Sequence, residues 1–152
     1  MAGNALPQFI RQATASLGAL ITAALTTSDG SGGTIGTNIF TVLNADATNG
    51  SFVEAVRFIA VASTANTATT ATTCRLYIAS VTSGTTSTTT CALIGECFLP
   101  STTADSSTGN VVGQDIAVGF RIPAGYALLA SCHSAPAANS SIRAVPIGAG
   151  DY

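Results

Sequence analysis

The chain has 152 residues, 47% of them hydrophobic and only 8% charged, with a net charge of −2 at pH 7. That size and apolar content suit one domain with a proper core, but the charged fraction falls far below the roughly 25% of an average globular protein. The basic residues are five scattered arginines (11, 57, 75, 121 and 143), which offer no stripe to neutralise phosphates, and no apolar run approaches the ~20 residues needed to span a bilayer. Neither nucleic acid nor membrane is therefore an expected partner. The surface must be built from Thr, Ser, Asn, Gly and Ala. Because charge opposes association, such a surface suits a protein packed against neighbours or working outside the cell.

At the N-terminus two patterns compete. Phe9, Ala13, Leu17, Leu20 and Ala24 recur at helical spacing, and Pro7 suits a first helical turn. The same stretch also reads as an extended arm and then a strand, with Leu17, Ala19, Ile21, Ala23 and Leu25 on one face. Alanine content tips the residue-level reading slightly toward helix, although Gly18 opposes it. Residues 13–25 have the apolarity of a signal peptide, but their flank holds only Arg11 with Pro7 and Phe9, which is a poor basic head.

The glycine-rich run DGSGGTIG (29–36) lacks the following lysine and helix of a phosphate cradle, and the alternating acids of a calcium loop. Beyond it, short apolar runs at 40–45, 52–63, 74–80, 91–100, 114–123, 126–134 and 141–149 alternate with turn-forming clusters. They predict an all-β, single-domain sandwich of seven or eight strands, with jelly roll a natural member of the class. In 52–62, simple alternation places Phe52, Glu54, Val56, Phe58 and Ala60 on one face. Val53, Ala55, Arg57, Ile59 and Val61 fall on the other. With both faces largely apolar, this strand belongs in the centre of a sheet.

The runs at 73–80 and 91–98 should pair as a hairpin. If Ser80 faces Cys91, then Cys74 faces Cys97. Cys91 and Cys97 themselves lie about 20 Å apart on one strand, at ~3.3 Å per residue, and do not bond each other. Neighbouring buried thiols are the first reading of the possible pair Cys74 and Cys97, and a cross-strand disulfide is the second. A zinc site with His133 lacks the usual close ligand spacing.

In FRIPAGYALLASCH (120–133), two strands flank Pro123-Ala124-Gly125, which reads as the turn of a hairpin. Cys132 and His133 are consecutive on a strand and point to opposite faces, so they make no nucleophile–base pair. Most of the acids fall in turns. Glu54 and Glu96 would act together only on adjoining strands, and a salt bridge from either to Arg57 or Arg75 is the simpler expectation. No catalytic residue, metal or cofactor is expected, and the chain does not read as an enzyme.

Four blocks taken in order carry a resemblance. They are Asn4 with LPQFIRQ (6–12), the stretch 28–63 with its DG and NG turns, CRLYIAS with ALIGECFLP, and the last block, 120–152, with PAGY and a terminal GAGDY. Together they resemble small head decoration or cement proteins of tailed bacteriophages. That resemblance implies a β-sandwich, often a jelly roll, that assembles as a homotrimer on the outer capsid surface, bound to the major capsid protein after synthesis in the host cytoplasm. It also favours arm plus strand at the N-terminus, with residues 1–15 as arm and 16–152 as sandwich. Leu6, Phe9 and Ile10 would then be partner-binding residues. The Thr-rich segments 64–72 and 81–90 and the cysteines depart from the family pattern. Two other classes stay open: a tail, spike or head-fibre component, and a secreted β-sandwich binding domain outside any virion.

Overall fold

The computed structural model describes residues 12–13, 16–62, 67–103 and 113–151. Among these there is no helix. The strands are β1 (Gln12–Ala13), β2 (Ala19–Ile21), β3 (Phe40–Asn44), β4 (Ser51–Ala62), β5 (Thr72–Ala79), β6 (Cys91–Leu99), β7 (Gly113–Ile122), β8 (Ala127–Cys132), β9 (Ser140–Ile147) and β10 (Gly150–Asp151). Every run expected to be extended is a strand, with ends displaced by a residue or two. Short stretches of β-branched and aromatic residues between Gly, Pro, Asn and Thr clusters leave the backbone few other options.

Pairing is antiparallel throughout the named strands. In the first sheet β4 is central, with β7 on one side and β9 followed by β10 on the other. β2 pairs with β9 and β1 with β10, so these two short strands make a single outer column. The second sheet runs β3-β8-β5-β6. Each passage between successive columns switches sheet except β5 to β6, which is a hairpin. Two such four-column layers make a jelly roll.

Between the sheets lies a core containing Ile21, Val53, Val56, Phe58, Leu76, Leu99, Ile122 and Leu128, all essentially inaccessible. A second cluster sits on the opposite face of β5 and β8. Here Tyr77, Ala79, Ala127 and Leu129 are covered by Leu25 and Ile39 from the β2–β3 connection, with Cys91 at the hairpin end.

Four expectations need correction. The helical reading of the N-terminal stretch fails, because Ala19–Ile21 is extended and hydrogen-bonded to β9. Gly18 has φ +69°, and a Cβ there would stand 2.0 Å from the Ala144 carbonyl oxygen, so backbone lies on backbone where a helix would need a side chain. Ala19, Ile21 and Leu25 do face inward, but Leu17 is 85% exposed.

On β4, Phe52 does not share a face with Val56. Val53 and Val56 both point into the core, three residues apart, across a register shift between Val53 and Ala55. Simple alternation fails wherever an irregularity resets the phase.

The 123–125 turn is no hairpin. β7 belongs to the first sheet and β8 to the second, so it is a corner between layers. The Tyr126 amide donates to the Pro123 carbonyl, and Gly125 takes φ +78°.

Finally, Cys74 does face Cys97, but Cys91 faces Ala79 rather than Ser80. A register shift between Leu76 and Tyr77 separates the two ends of the hairpin, opposite Gly95, where a Cβ would meet Ile116 at 2.9 Å. Of the expected arm, Gln12–Ala13 forms β1. Leu6, Phe9 and Ile10 lie outside the described residues.

Candidate functional site

The groups with chemical potential are occupied by structure. Cys132 is fully buried and its thiol donates to the Ala23 carbonyl at 3.6 Å, while His133 is exposed and its amide donates to Thr73. The two side chains point apart, as strand alternation requires. Burial pushes the Cys132 thiol up to about 11. The Cys91 thiol also rises to about 11, through burial and then the negative charge of Asp29.

Glu54 and Glu96 stand on strands of different sheets. Glu96 instead accepts from Arg75 Nε at 2.5 Å, and the buried Arg75 sends Nη1 to the Leu25 carbonyl at 3.3 Å. This guanidinium ties the β2–β3 connection to the sheet beneath it. Arg57 pairs with Asp115 across β4 and β7 through two bonds of 2.7 Å, a partner the sequence reading did not single out. The pairing holds the Asp115 carboxyl below its usual range, chiefly through the hydrogen bond. Asp29 and Asp46 accept from amides two or three residues ahead, so both serve their own turns. Among the described residues, no group of three or more His, Cys, Asp or Glu is placed to hold a metal ion.

The glycine-rich run is a cover over the second cluster. The Gly32 amide donates to the Thr86 carbonyl, and the buried Thr86 hydroxyl lies against the Gly30 and Gly33 carbonyls. Gly30 rests on the Tyr77 ring and the Cys91 sulfur. Its amides are thus engaged in closing the fold. A shallow cleft of about 150 Å³ lies between residues 88–92 and Tyr126. The hydroxyls of Ser87, Thr89 and Thr90 beside it bond to one another.

The two outer faces of the sandwich differ. That of the second sheet lies in part under the β2–β3 connection, with Leu93 and Phe98 of the edge strand β6 left exposed. That of the first stays open to solvent among the described residues. Register places Leu20, Arg143 and Ile59 in one row, Val145, Arg57 and Asp115 in the next, and Ile147, Ala55 and Ala117 in a third, with Val61 beside Ser141. Leu20 is 42% and Val61 38% exposed, and Ile59, Val145 and Ile147 are half-buried. The solvated face of an antiparallel sheet normally carries polar residues. Here aliphatic side chains stand among the exposed Arg143 and the Arg57–Asp115 ion pair, more apolar than a solvated sheet face requires. Sequence reasoning noticed that the 52–62 strand is apolar on both faces, but it had no means of joining Leu20, Ile59 and Val145 into one surface.

No family model, curated protein or solved structure matches this chain, so its geometry carries the functional argument.

Proposed function

We propose that this protein is a structural component of a virion: a decoration or cement module that assembles as a homotrimer on the outside of a tailed-phage head and braces neighbouring major capsid proteins. It converts no substrate and holds by buried area. The observation that carries this reading is the open outer face of the β4-centred sheet, where Leu20, Val61, Ile59, Val145 and Ile147 stand around Arg143 and the Arg57–Asp115 pair, on a chain with few charges. Burying a half-exposed aliphatic side chain contributes a fraction of the ~1.5–3 kcal/mol of full burial. Threefold assembly multiplies that gain through effective concentration. Charge depletion is also typical of interface centres.

The jelly roll supports the reading as a fold common among capsid proteins, although fold alone assigns no function. The N-terminal segment fits the same scheme. β1 lies in the outer column of the open sheet, and the preceding eleven residues include Leu6, Phe9 and Ile10. Fully extended, Leu6 lies at most roughly 20–22 Å from β1 at ~3.3–3.6 Å per residue, and Phe9 and Ile10 closer, within reach of a subunit adjoining that sheet edge. Three of the five arginines are engaged within the chain, Arg57 and Arg75 with carboxylates and Arg121 with the Asn49 carbonyl, which leaves little positive charge for nucleic acid.

The test is reconstitution on phage heads that lack the protein. Purified chain should bind the shells at fixed stoichiometry and raise the temperature at which they rupture. Shells that neither bind it nor gain heat resistance would remove the proposal.

A further inference from the structure

Three of the four cysteines form one row across the β3-β8-β5-β6 sheet. Cys74 on β5 is the register partner of Cys97 on β6 and of Cys132 on β8. All three belong to the core between the sheets, with Cys97 only partly buried on the edge strand. The backbone distinguishes the two pairs. His133 donates to the Thr73 carbonyl at 2.9 Å, so the polar groups of Thr73 point to β8 and those of Cys74 point to β6. Cys74 and Cys97 are therefore a hydrogen-bonded pair, with Cα atoms about 5.5 Å apart. Both pair types fall within the Cα range of disulfides, and side chains stand closer in the second type, that of Cys74 and Cys132. What separates the pairs is the third sulfur: the Cys132 thiol is fully buried and turned toward the Ala23 carbonyl, whereas Cys97 lies partly accessible on the edge strand.

We propose that Cys74 and Cys97 are a redox pair that closes to a cross-strand disulfide when the folded protein meets a peroxide, fastening the edge strand β6 to the interior of its sheet. The neighbouring Cys97 sulfur, together with burial, pushes the Cys74 thiol upward, and the Cys74 thiol in turn holds Cys97 below the usual thiol range. Cys97, the more accessible of the two, is thus the sulfur that reacts first. Its thiolate attacks hydrogen peroxide. An S–O bond forms, the O–O bond breaks, and hydroxide leaves to be protonated by solvent. The Cys74 sulfur then attacks the Cys97 sulfenic acid. The S–S bond forms, the S–O bond breaks, and the departing hydroxyl leaves as water with the Cys74 proton. Two thiols are oxidised and one peroxide is reduced to two waters. Cys91, on the other cluster and opposite Ala79, takes no part. This chemistry does not depend on what the protein binds.

The test uses the intact wild-type chain. After peroxide treatment and alkylation of remaining thiols, cleavage after arginine and after glutamate separates all four cysteines, because Arg57, Arg75, Glu96, Arg121 and Arg143 fall between them. Mass spectrometry should find residues 58–75 joined to 97–121, with a loss of two hydrogens. The melting temperature should rise by roughly 5–10 °C and return on reduction with dithiothreitol. A link from 58–75 to 122–143, a link involving the Cys91 fragment, or four alkylated thiols after oxidation each overturns the assignment. A correct link that leaves the melting temperature unchanged overturns the fastening role.

Discussion

Exchanging three exposed aliphatic side chains, two on the open sheet and one beside it, for smaller or isosteric polar ones should abolish assembly and leave the domain folded. The informative variant combines Leu17→Ser, Leu20→Thr and Val61→Thr. Leu17, two residues before β2, is 85% exposed, Leu20 42% and Val61 38%. If these exposed fractions become buried between subunits, at about 1.5–3 kcal/mol for a whole side chain, the three together contribute roughly 2.5–5 kcal/mol per copy. Their loss weakens association by about two to three orders of magnitude, at about 1.4 kcal/mol per tenfold. Threonine keeps strand propensity at positions 20 and 61, so far-UV circular dichroism and the thermal transition should stay close to wild type. Multi-angle light scattering at tens of micromolar should give a trimer for the wild type and a monomer for the variant. A wild type that remains monomeric, or a variant that remains trimeric, refutes the assignment of this face.

Three other expectations follow from the same structure. Truncation of residues 1–11, which spares β1, should lower occupancy on phage heads without changing the melting temperature; unchanged occupancy retires the arm. Gly18→Ala should cost at least about 2 kcal/mol, from a positive φ that disfavours a Cβ by about 1–2 kcal/mol and from the 2.0 Å approach to the Ala144 carbonyl oxygen. In urea unfolding its midpoint should fall clearly below that of wild type, and an unchanged midpoint would contradict the β2–β9 pairing. Tyr77 is fully inaccessible and its hydroxyl lies 3.2 Å from that of Ser131; burial raises its phenol above the ordinary value of 10.0. The folded state then keeps this proton after the unfolded chain has lost it. The contribution is complete below the unfolded pKa and declines as pH rises through the folded one. Wild type should lose stability above about pH 10 more steeply than Tyr77→Phe, as measured by urea midpoints across alkaline pH, and parallel slopes would exclude Tyr77 as the cause.

The sequence by itself determined which segments extend. Runs such as FTVLN, CRLYIA and ALLASC, bounded by Thr, Asn, Gly and Pro clusters, have one favourable local geometry, and strand formation there needs no distant information. It also determined that Cys132 and His133 diverge, because alternation is a property of a single strand. The hairpin register predicted the Cys74–Cys97 partnership through a premise that was off by one at its far end, where the shift opposite Gly95 intervenes. What only the tertiary structure decided was membership. Whether β7 and β8 pair or lie in different layers depends on the partners β4 and β5, some fifty to seventy residues away in the chain, and the same PAG turn serves either arrangement. Sheet irregularities at Val53–Ala55 and at Leu76–Tyr77 answer to packing across the sandwich, so no local periodicity reveals them. The open aliphatic face is a further case. Leu20, Ile59 and Val145 become one surface only when three strands align in register, because each lies on a different strand and pairing alone brings them side by side.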